Sequence, residues 1–166
     1  MKHIVVLSCI DPRFVEKLSD YLQDDRGLDE YDLIVLAGAS LGAEQDAWKK
    51  MFYDHMDLAI KLHKVTELWV FDHMDCGMYE KVFKIKRDDD RHRHYKELCK
   101  LKDLIHAKYP KLKYCGYIME LNGTIKHCPC CNCSDSSSDS SSDDESVSSK
   151  TRDKPSDYEA KEEESM

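Results

Sequence analysis

Short apolar runs of strand length alternate along this chain with longer segments of helical periodicity, and this alternation constrains the fold more than any other feature. The strand-like runs are Ile4–Leu7, Tyr31–Leu36, Leu68–Phe71 and Tyr114–Leu121. Short apolar runs with turn signals on both sides are typical of buried strands. Because strands that alternate with helices form a parallel sheet with right-handed crossovers, the sequence predicts an α/β fold: a four-stranded, mostly parallel sheet flanked by helices.

The segments between the strands carry helix start and stop signals. Asp11 is a good cap before Pro12, which suits a first helical position, and Gly27 is well placed to end that helix. Further helices are predicted for residues 43–63, 76–85 and 95–109.

Two connections late in the chain have signals of their own. Residues 86–94 are rich in charge, and we predict a loop with solvated side chains, including those of His92, Arg93 and His94. Asn122-Gly123 is a strong turn signal and predicts a hairpin into residues 124–126.

Composition divides the 166-residue chain into a nearly neutral body and an acidic tail. The formal net charge is −8, of which residues 134–166 contribute −7, with eleven Asp or Glu against four Lys or Arg. The Ser- and Asp-rich tail lacks the apolar residues that offset the entropy of ordering, so we predict that it is disordered. The predicted organisation is an α/β domain at 1–127, a Cys-rich segment at 128–133 and the tail at 134–166.

The same composition argues against several classes of protein. The body has no basic field, so nucleic acid is not an expected partner. No apolar run is long enough to span a bilayer, and the first residues lack a signal-peptide pattern. We therefore expect a cytoplasmic protein, in which cysteine spacing more often indicates metal binding or chemistry than disulfides.

Residues with metal-binding chemistry follow two of the predicted strands directly. Cys9 comes after the first strand, and His73 and Cys76 come after the third. Ligand sites of open α/β sheets lie at the carboxyl ends of parallel strands, so adjacency of these two strands would bring the three residues together. Two thiolates and one imidazole leave one zinc position free, which is the pattern of a catalytic zinc site. Asp11 could then orient a metal-activated water, and Arg13 could hold Asp11 ionised.

Simpler interpretations of these residues stay open. Asp11 can be a helix cap only, or a cap and an orienting group together, and Asp75 before Cys76 is better explained as a cap than as a catalyst. A non-catalytic zinc module, with Asp11 in the fourth position, is an alternative to an enzyme. A thiol-redox protein that uses Cys9 and Cys76 is a third alternative.

The motifs Cys9-Ile10-Asp11-Pro12-Arg13 and His73-Met74-Asp75-Cys76-Gly77 resemble those of the β-class carbonic anhydrases. The resemblance extends from residue 1 to about residue 126 and implies the fold of that family. It implies Zn²⁺ on Cys9, His73 and Cys76, an Asp11–Arg13 dyad, and reversible hydration of carbon dioxide to bicarbonate. It also implies a homodimer whose sheets join edge to edge, with active sites near the subunit boundary. Related branches hydrolyse carbonyl sulfide or carbon disulfide at the same kind of site.

The chain also departs from that family at several positions. Val35-Leu36 stands where the family usually has Arg-Asn, Met74 replaces a small hydroxyl residue, and Asp72 replaces a glycine. Because the first predicted strand starts at once, we expect that the helical arm usual in that family is missing. These departures predict a minimal, divergent branch whose dimer contacts and substrate-pocket polarity differ from those of the family.

The Cys-rich segment and the tail have several possible roles. The cluster Cys128, Cys130, Cys131 and Cys133 suits a thiophilic ion such as Zn²⁺ or Cu⁺, but a palmitoylation site, a redox-sensitive patch or a cluster without function also fits. The Ser-Asp tail is a candidate for multiple phosphorylation or serves only as a solubilising extension.

Overall fold

The computed structural model of the protein describes residues 3–85 and 91–131. The predicted disordered tail, 134–166, lies outside the described residues, as does Cys133. The strands are β1 (Ile4–Ser8), β2 (Asp32–Val35), β3 (Glu67–His73), β4 (Lys113–Met119) and β5 (Ile125–His127). The helices are α1 (Val15–Asp20), α2 (Ser40–Ala43), α3 (Asp46–His63), α4 (Gly77–Phe83) and α5 (Arg91–Lys108).

The five strands form one sheet in the order β2-β1-β3-β4-β5. The first four strands are parallel to one another, and β5 is antiparallel to β4. The α/β prediction is therefore confirmed. The return segment of the hairpin predicted at Asn122-Gly123 adds a fifth strand, so the sheet has five strands rather than the four that the apolar runs predicted.

Helices cover both faces of the sheet. Successive apolar side chains of the strands point to opposite faces, so both faces must be buried. Val5 and Leu7 of β1 belong to the core cluster that α3 and α5 complete. Ile4 and Val6 point the other way, into a second cluster with Leu18 of α1. Burial on both faces explains why the strands appear in the sequence as continuous apolar runs.

Two helices begin differently from the prediction. Asp11 caps a single turn of 3₁₀-helix, Pro12–Phe14, that leads into α1. Helix α5 begins at Arg91, so the prediction of a charged loop over residues 86–94 is wrong for its last four residues. The helix starts early because His94 lies four residues before Leu98 on the same face, and both side chains are fully buried. No helix within the described residues is long and apolar enough to cross a membrane.

Candidate metal centre

The crevice of the sheet lies at the carboxyl ends of β1 and β3. These strands are neighbours, with Ser8 paired to Phe71, so Cys9 and His73 leave the sheet at the same edge. The chain passes from β1 to β2 on one side and later to β3 on the other, which makes this the topological switch point of the sheet. The adjacency on which the zinc prediction depended is therefore present.

Three potential zinc ligands meet in this crevice. The Sγ atoms of Cys9 and Cys76 are 4.0 Å apart. These two atoms and a ring nitrogen of His73 all lie within 4.8 Å of one another. Thiolates bound at ~2.3 Å to one tetrahedral zinc ion stand roughly 3.8 Å apart. The donor set and its spacing therefore fit one zinc ion.

The environment of His73 leaves one ring nitrogen available to a metal. The side chain is 3% exposed and stacks on Phe14 at a centroid distance of 4.2 Å. Its Nδ1 lies 2.8 Å from the carbonyl oxygen of Met74, to which it donates as the Nδ1–H tautomer. Within the described residues, Nε2 is buried and has no hydrogen-bond partner. A buried imidazole nitrogen without a partner costs free energy, and a metal ligand bond would satisfy it.

Backbone N–H groups favour the thiolate forms that zinc needs. The N–H of Gly38 donates to Cys9 Sγ at 3.2 Å, and the N–H groups of Met78 and Tyr79, at the start of α4, donate to Cys76. A hydrogen bond from the Cys76 thiol, the nearby imidazole of His73 and the N–H of Gly38 together lower the pKa of Cys9 to about 4 despite burial. The same bond and burial raise the pKa of Cys76, because the two sulfur atoms share one proton.

A turn of unusual backbone geometry brings Gly38 against Cys9. Gly38 has a φ of +79°, and a Cβ there would lie 2.9 Å from Cγ of Met78. Only glycine satisfies both the left-handed conformation and the close approach. The small-residue turn seen in the sequence therefore places an N–H donor on a candidate ligand.

Asp11 and Arg13 form an ion pair at the rim of the metal centre. Arg13 donates from Nη2 to Asp11 Oδ2 at 2.7 Å and from Nε to Asp11 Oδ1 at 3.0 Å. These hydrogen bonds lower the pKa of Asp11 to about 2. Asp11 Oδ2 lies 3.8 Å from His73 Nε2, so its carboxylate faces the space between the candidate ligands. Asp11 also accepts the backbone N–H of Arg13 at 3.0 Å, which makes it a helix cap as well.

Asp75 has a role that the sequence did not reveal. Its carboxylate accepts a hydrogen bond from Arg13 Nη1 at 2.6 Å, and its backbone carbonyl accepts one from Arg13 Nη2 at 3.0 Å. Cys76, not Asp75, occupies the N-cap position of α4. The prediction that Asp75 is a cap is therefore wrong. Asp75 adopts the left-handed conformation, with a φ of +60°, and ties the β3–α4 loop to Arg13.

An apolar cavity of about 240 Å³ opens beside Cys9 and His73. Its other walls are mainly apolar side chains of α1, β2 and the sheet: Ile10, Phe14, Val15, Leu18, Leu33, Val35, Phe71 and Met119. Val35 is one of the two residues that replace the usual Arg-Asn pair, and it makes this wall apolar. A small apolar molecule could therefore reach the candidate metal site.

Behind the candidate metal centre lies a buried polar network that the sequence did not predict. Asp72 is 1% exposed, and its Oδ2 accepts from Ser40 Oγ at 2.6 Å, from Tyr79 Oη at 2.7 Å and from His94 Nδ1 at 3.0 Å. Its Oδ1 accepts from the N–H of Ser40 at 3.0 Å. The prediction that His94 is a solvated loop residue is wrong, since it is fully buried. The sequence feature that could have indicated this network is Asp72, a carboxylate that follows the apolar run Leu68–Phe71 in β3.

Comparison with known proteins identifies the family. A sequence model of the family described as "Putative carbonic anhydrase" matches residues 1–128. The chain belongs to this family. An uncharacterised protein of Rickettsia bellii is 30% identical to this family member over an alignment of 130 residues, and the match covers 74% of this chain and 79% of the relative. Another, from Rickettsia conorii, is 29% identical over an alignment of 130 residues, with coverage of 74% of this chain and 69% of the relative.

Solved β-carbonic anhydrases resemble this member of the carbonic anhydrase family in fold. CafD of Aspergillus fumigatus has a TM-score of 0.52 at 10% identity, covering 76% of this chain and 88% of its own. CafA of the same fungus has a TM-score of 0.49 at 14% identity, with coverage of 79% and 77%. At this identity the likeness to CafD shows the fold alone. The predicted β-carbonic anhydrase-like architecture is confirmed.

Proposed function

We propose that this protein is a zinc-dependent carbonic anhydrase that interconverts carbon dioxide and bicarbonate, with Cys9, His73 and Cys76 as metal ligands. The observation that carries the proposal is the triad at the switch point of the sheet. His73 and Cys76 are buried there, Cys9 is partly exposed, and Nε2 of His73 has no hydrogen-bond partner among the described residues. Zinc at such a site supplies a Lewis acid that brings the pKa of a water molecule toward neutrality. Membership of the carbonic anhydrase family supports the same chemistry.

In this proposal Asp11 and Arg13 orient the nucleophilic water. Asp11 must accept a proton in a hydrogen bond, which requires an ionised carboxylate. Arg13 keeps it ionised far below neutral pH by lowering its pKa to about 2. Asp75 fixes the other side of the guanidinium, so that Arg13 cannot rotate away from Asp11. An oriented acceptor directs the lone pair of the water toward the substrate carbon and away from the protein.

The apolar cavity supplies the place for the substrate. Carbon dioxide has no net dipole and no hydrogen-bond donor, so walls such as Phe14, Val35 and Phe71 hold it without leaving a polar group unsatisfied. The product bicarbonate is charged and leaves such a cavity readily. Carbonyl sulfide has a similar linear shape, and the same walls would accept it, so it forms the second arm of the test below.

Stopped-flow measurement of CO₂ hydration between about pH 7 and pH 9 tests the proposal, on protein whose zinc content is determined in the same batch. We expect zinc-dependent hydration in the wild type. Asp11→Ala should lower it by ~100-fold or more at unchanged zinc content, because the nucleophile loses its orienting acceptor. Asp24→Ala is the matched control, since Asp24 is an exposed carboxylate of the same N-terminal segment.

Two outcomes contradict the proposal in different ways. Wild-type zinc content in Cys76→Ala would refute the ligand assignment. Full zinc occupancy without CO₂ hydration at any pH would refute the substrate assignment. Hydrolysis of carbonyl sulfide by that same protein would then identify the alternative enzyme, and inactivity toward both would leave a zinc-binding module.

The proposal includes a homodimer that forms along β2. This strand is an edge of the sheet, and its side chains Leu33 and Val35 are 54% and 43% exposed. Ile10 and Val15, beside them on the cavity mouth, are more than 60% exposed. A second copy would cover these apolar side chains and close the cavity. We expect a dimer mass by light scattering that Leu33→Lys converts to a monomer, whereas Leu58→Lys on α3, also about half exposed, leaves it dimeric.

A further inference from the structure

Four cysteine sulfur atoms come together at a place remote in sequence from the first metal centre. Cys99 of α5 lies 3.8 Å from Cys128, which lies 3.2 Å from Cys130, and Cys130 lies 3.8 Å from Cys131 (all Sγ to Sγ). Cys99 and Cys130 are joined as a disulfide. The Sγ atoms of Cys99, Cys128 and Cys130 all lie within 4.8 Å of one another. The Cys99–Cys128 and Cys130–Cys131 separations equal the roughly 3.8 Å between thiolates on one tetrahedral zinc ion.

The turn that carries three of these residues has the form of a metal-binding knuckle. In the sequence Cys128-Pro129-Cys130-Cys131, the residues Cys128 and Cys131 have C-x-x-C spacing. Cys130 lies between them. The N–H of Cys131 bonds to the carbonyl of Cys128 at 2.9 Å and closes the turn. Both sulfur atoms of the pair accept backbone N–H groups, from Cys130 and from Gly116. Such N–H donors stabilise thiolate charge at zinc sites.

This knuckle packs against β4 and α5. A Cβ at Gly116 of β4 would lie 3.2 Å from Cys131 Sγ and 3.3 Å from Cys128 Cβ, so the turn packs closely against this glycine. Cys128 is fully buried and Cys131 is 8% exposed. Lys102 of α5 donates to the carbonyl of Cys130 at 2.7 Å and so places a positive charge beside the sulfur atoms. A buried group of thiolates needs such a countercharge.

We propose that Cys99, Cys128, Cys130 and Cys131, in their reduced form, bind a second zinc ion in a closed tetrathiolate site. The Cys99–Cys130 disulfide is the oxidised, metal-free form of this site. A dithiol reductant supplies two electrons and two protons to that disulfide and itself becomes a cyclic disulfide. The four thiols then release four protons as Zn²⁺ binds. The ion ties the chain that follows β5 to α5 and β4, and its coordination is complete without a water molecule.

The second site is tested by zinc stoichiometry on reduced full-length protein kept free of oxygen. We expect two zinc ions per chain in the wild type by elemental analysis. Cys128→Ser/Cys131→Ser should retain one, and the matched variant Cys9→Ser/Cys76→Ser should also retain one. Because the two pairs belong to different sites, a failure of the proposed carbonic anhydrase centre would not be mistaken for a failure of this one.

Co²⁺ serves as a probe of the ligands in the Cys9→Ser/Cys76→Ser background. One equivalent should bind, with the intense sulfur-to-cobalt charge-transfer absorption of a tetrathiolate. Zinc should also protect Cys99, Cys128, Cys130 and Cys131 of the wild type from alkylation, as read by mass spectrometry, which needs no substitution. A single zinc in the wild type that survives Cys128→Ser/Cys131→Ser, or full alkylation of these four cysteines with zinc present, would overturn the proposal.

Discussion

Replacing Asp72 by asparagine tests whether the buried network is a principal support of this fold. The carboxylate accepts four hydrogen bonds, three at Oδ2 and one at Oδ1. An amide has a single acceptor oxygen. If that oxygen takes the place of Oδ2, the NH₂ group faces the backbone N–H of Ser40 at about 3.0 Å, donor against donor. If it takes the place of Oδ1, the NH₂ group faces Ser40 Oγ, Tyr79 Oη and His94 Nδ1.

The less damaging orientation still has a large cost. One buried N–H loses its acceptor, which costs about 1–3 kcal/mol. The other three bonds lose the charge of their acceptor, and charge-assisted bonds are about twice as strong as neutral ones. Together these losses give about 3–5 kcal/mol, similar to the loss of one partner from a buried ion pair. A domain of this size has about 5–15 kcal/mol of stability in total, so Asp72→Asn removes a large part of it.

Urea unfolding measures this difference. With a slope of about 2 kcal/mol per molar urea, the transition midpoint should fall by about 2 M. Asp24→Asn makes the same chemical change at an exposed carboxylate and should leave the midpoint within about 0.3 M. A shift for Asp72→Asn as small as that of the control would refute the reasoning, because the network would then contribute nothing beyond an exposed charge.

Three further predictions concern the metal centre. Arg13→Gln should raise the pKa of Asp11 from about 2 toward the ordinary ~3.9, measured by NMR titration; an unchanged value would contradict the ion pair. Because the pKa of Asp11 is lower in the folded state, the Asp11–Arg13 pair stabilises the fold above about pH 4, and this contribution is lost as the pH falls through about 2. At this partly exposed site the contribution should be less than ~1 kcal/mol in urea unfolding. Gly38→Ala should destabilise by about 1–3 kcal/mol in the same assay, since it strains a φ of +79° and meets Met78, and a neutral result would refute the close packing of this turn. Removal of zinc by a chelator should lower Tm by several degrees in calorimetry, and an unchanged Tm would argue against a resident metal.

The parts of the fold that sequence patterns predicted are those that local rules govern. Continuous apolar runs identified β1 and β3, and the crossover rules made them parallel. Their adjacency was the condition for Cys9, His73 and Cys76 to share one site, and the structure supplies it. The C-x-D-x-R and H-x-x-C-G motifs lie in the loops just beyond strand ends, where backbone position depends mainly on the strand itself.

The parts that could not be predicted depend on contacts between segments distant in sequence. Nothing near His94 in the sequence indicates that it is buried with a hydrogen bond to Asp72, twenty-two residues earlier. Asp75 has the sequence position of a cap, but Arg13, sixty-two residues away, determines its conformation. Nothing near Cys99 in the sequence indicates that Cys130, at a sequence separation of 31, is its disulfide partner.

The position of Asp72 connects these long-range contacts with the chemistry proposed for the site. It immediately precedes His73, and its partners come from α2, α4 and α5. Ser40 follows two residues after Gly38, which donates to Cys9, and Tyr79 follows three residues after Cys76. One carboxylate therefore links β3, which carries His73, to the segment of Gly38 and to the helix that Cys76 begins. A metal site built on loops needs such support to keep its geometry. Asp72→Asn should accordingly weaken zinc binding as well as folding, although its side chain touches no candidate ligand atom in any of its hydrogen bonds.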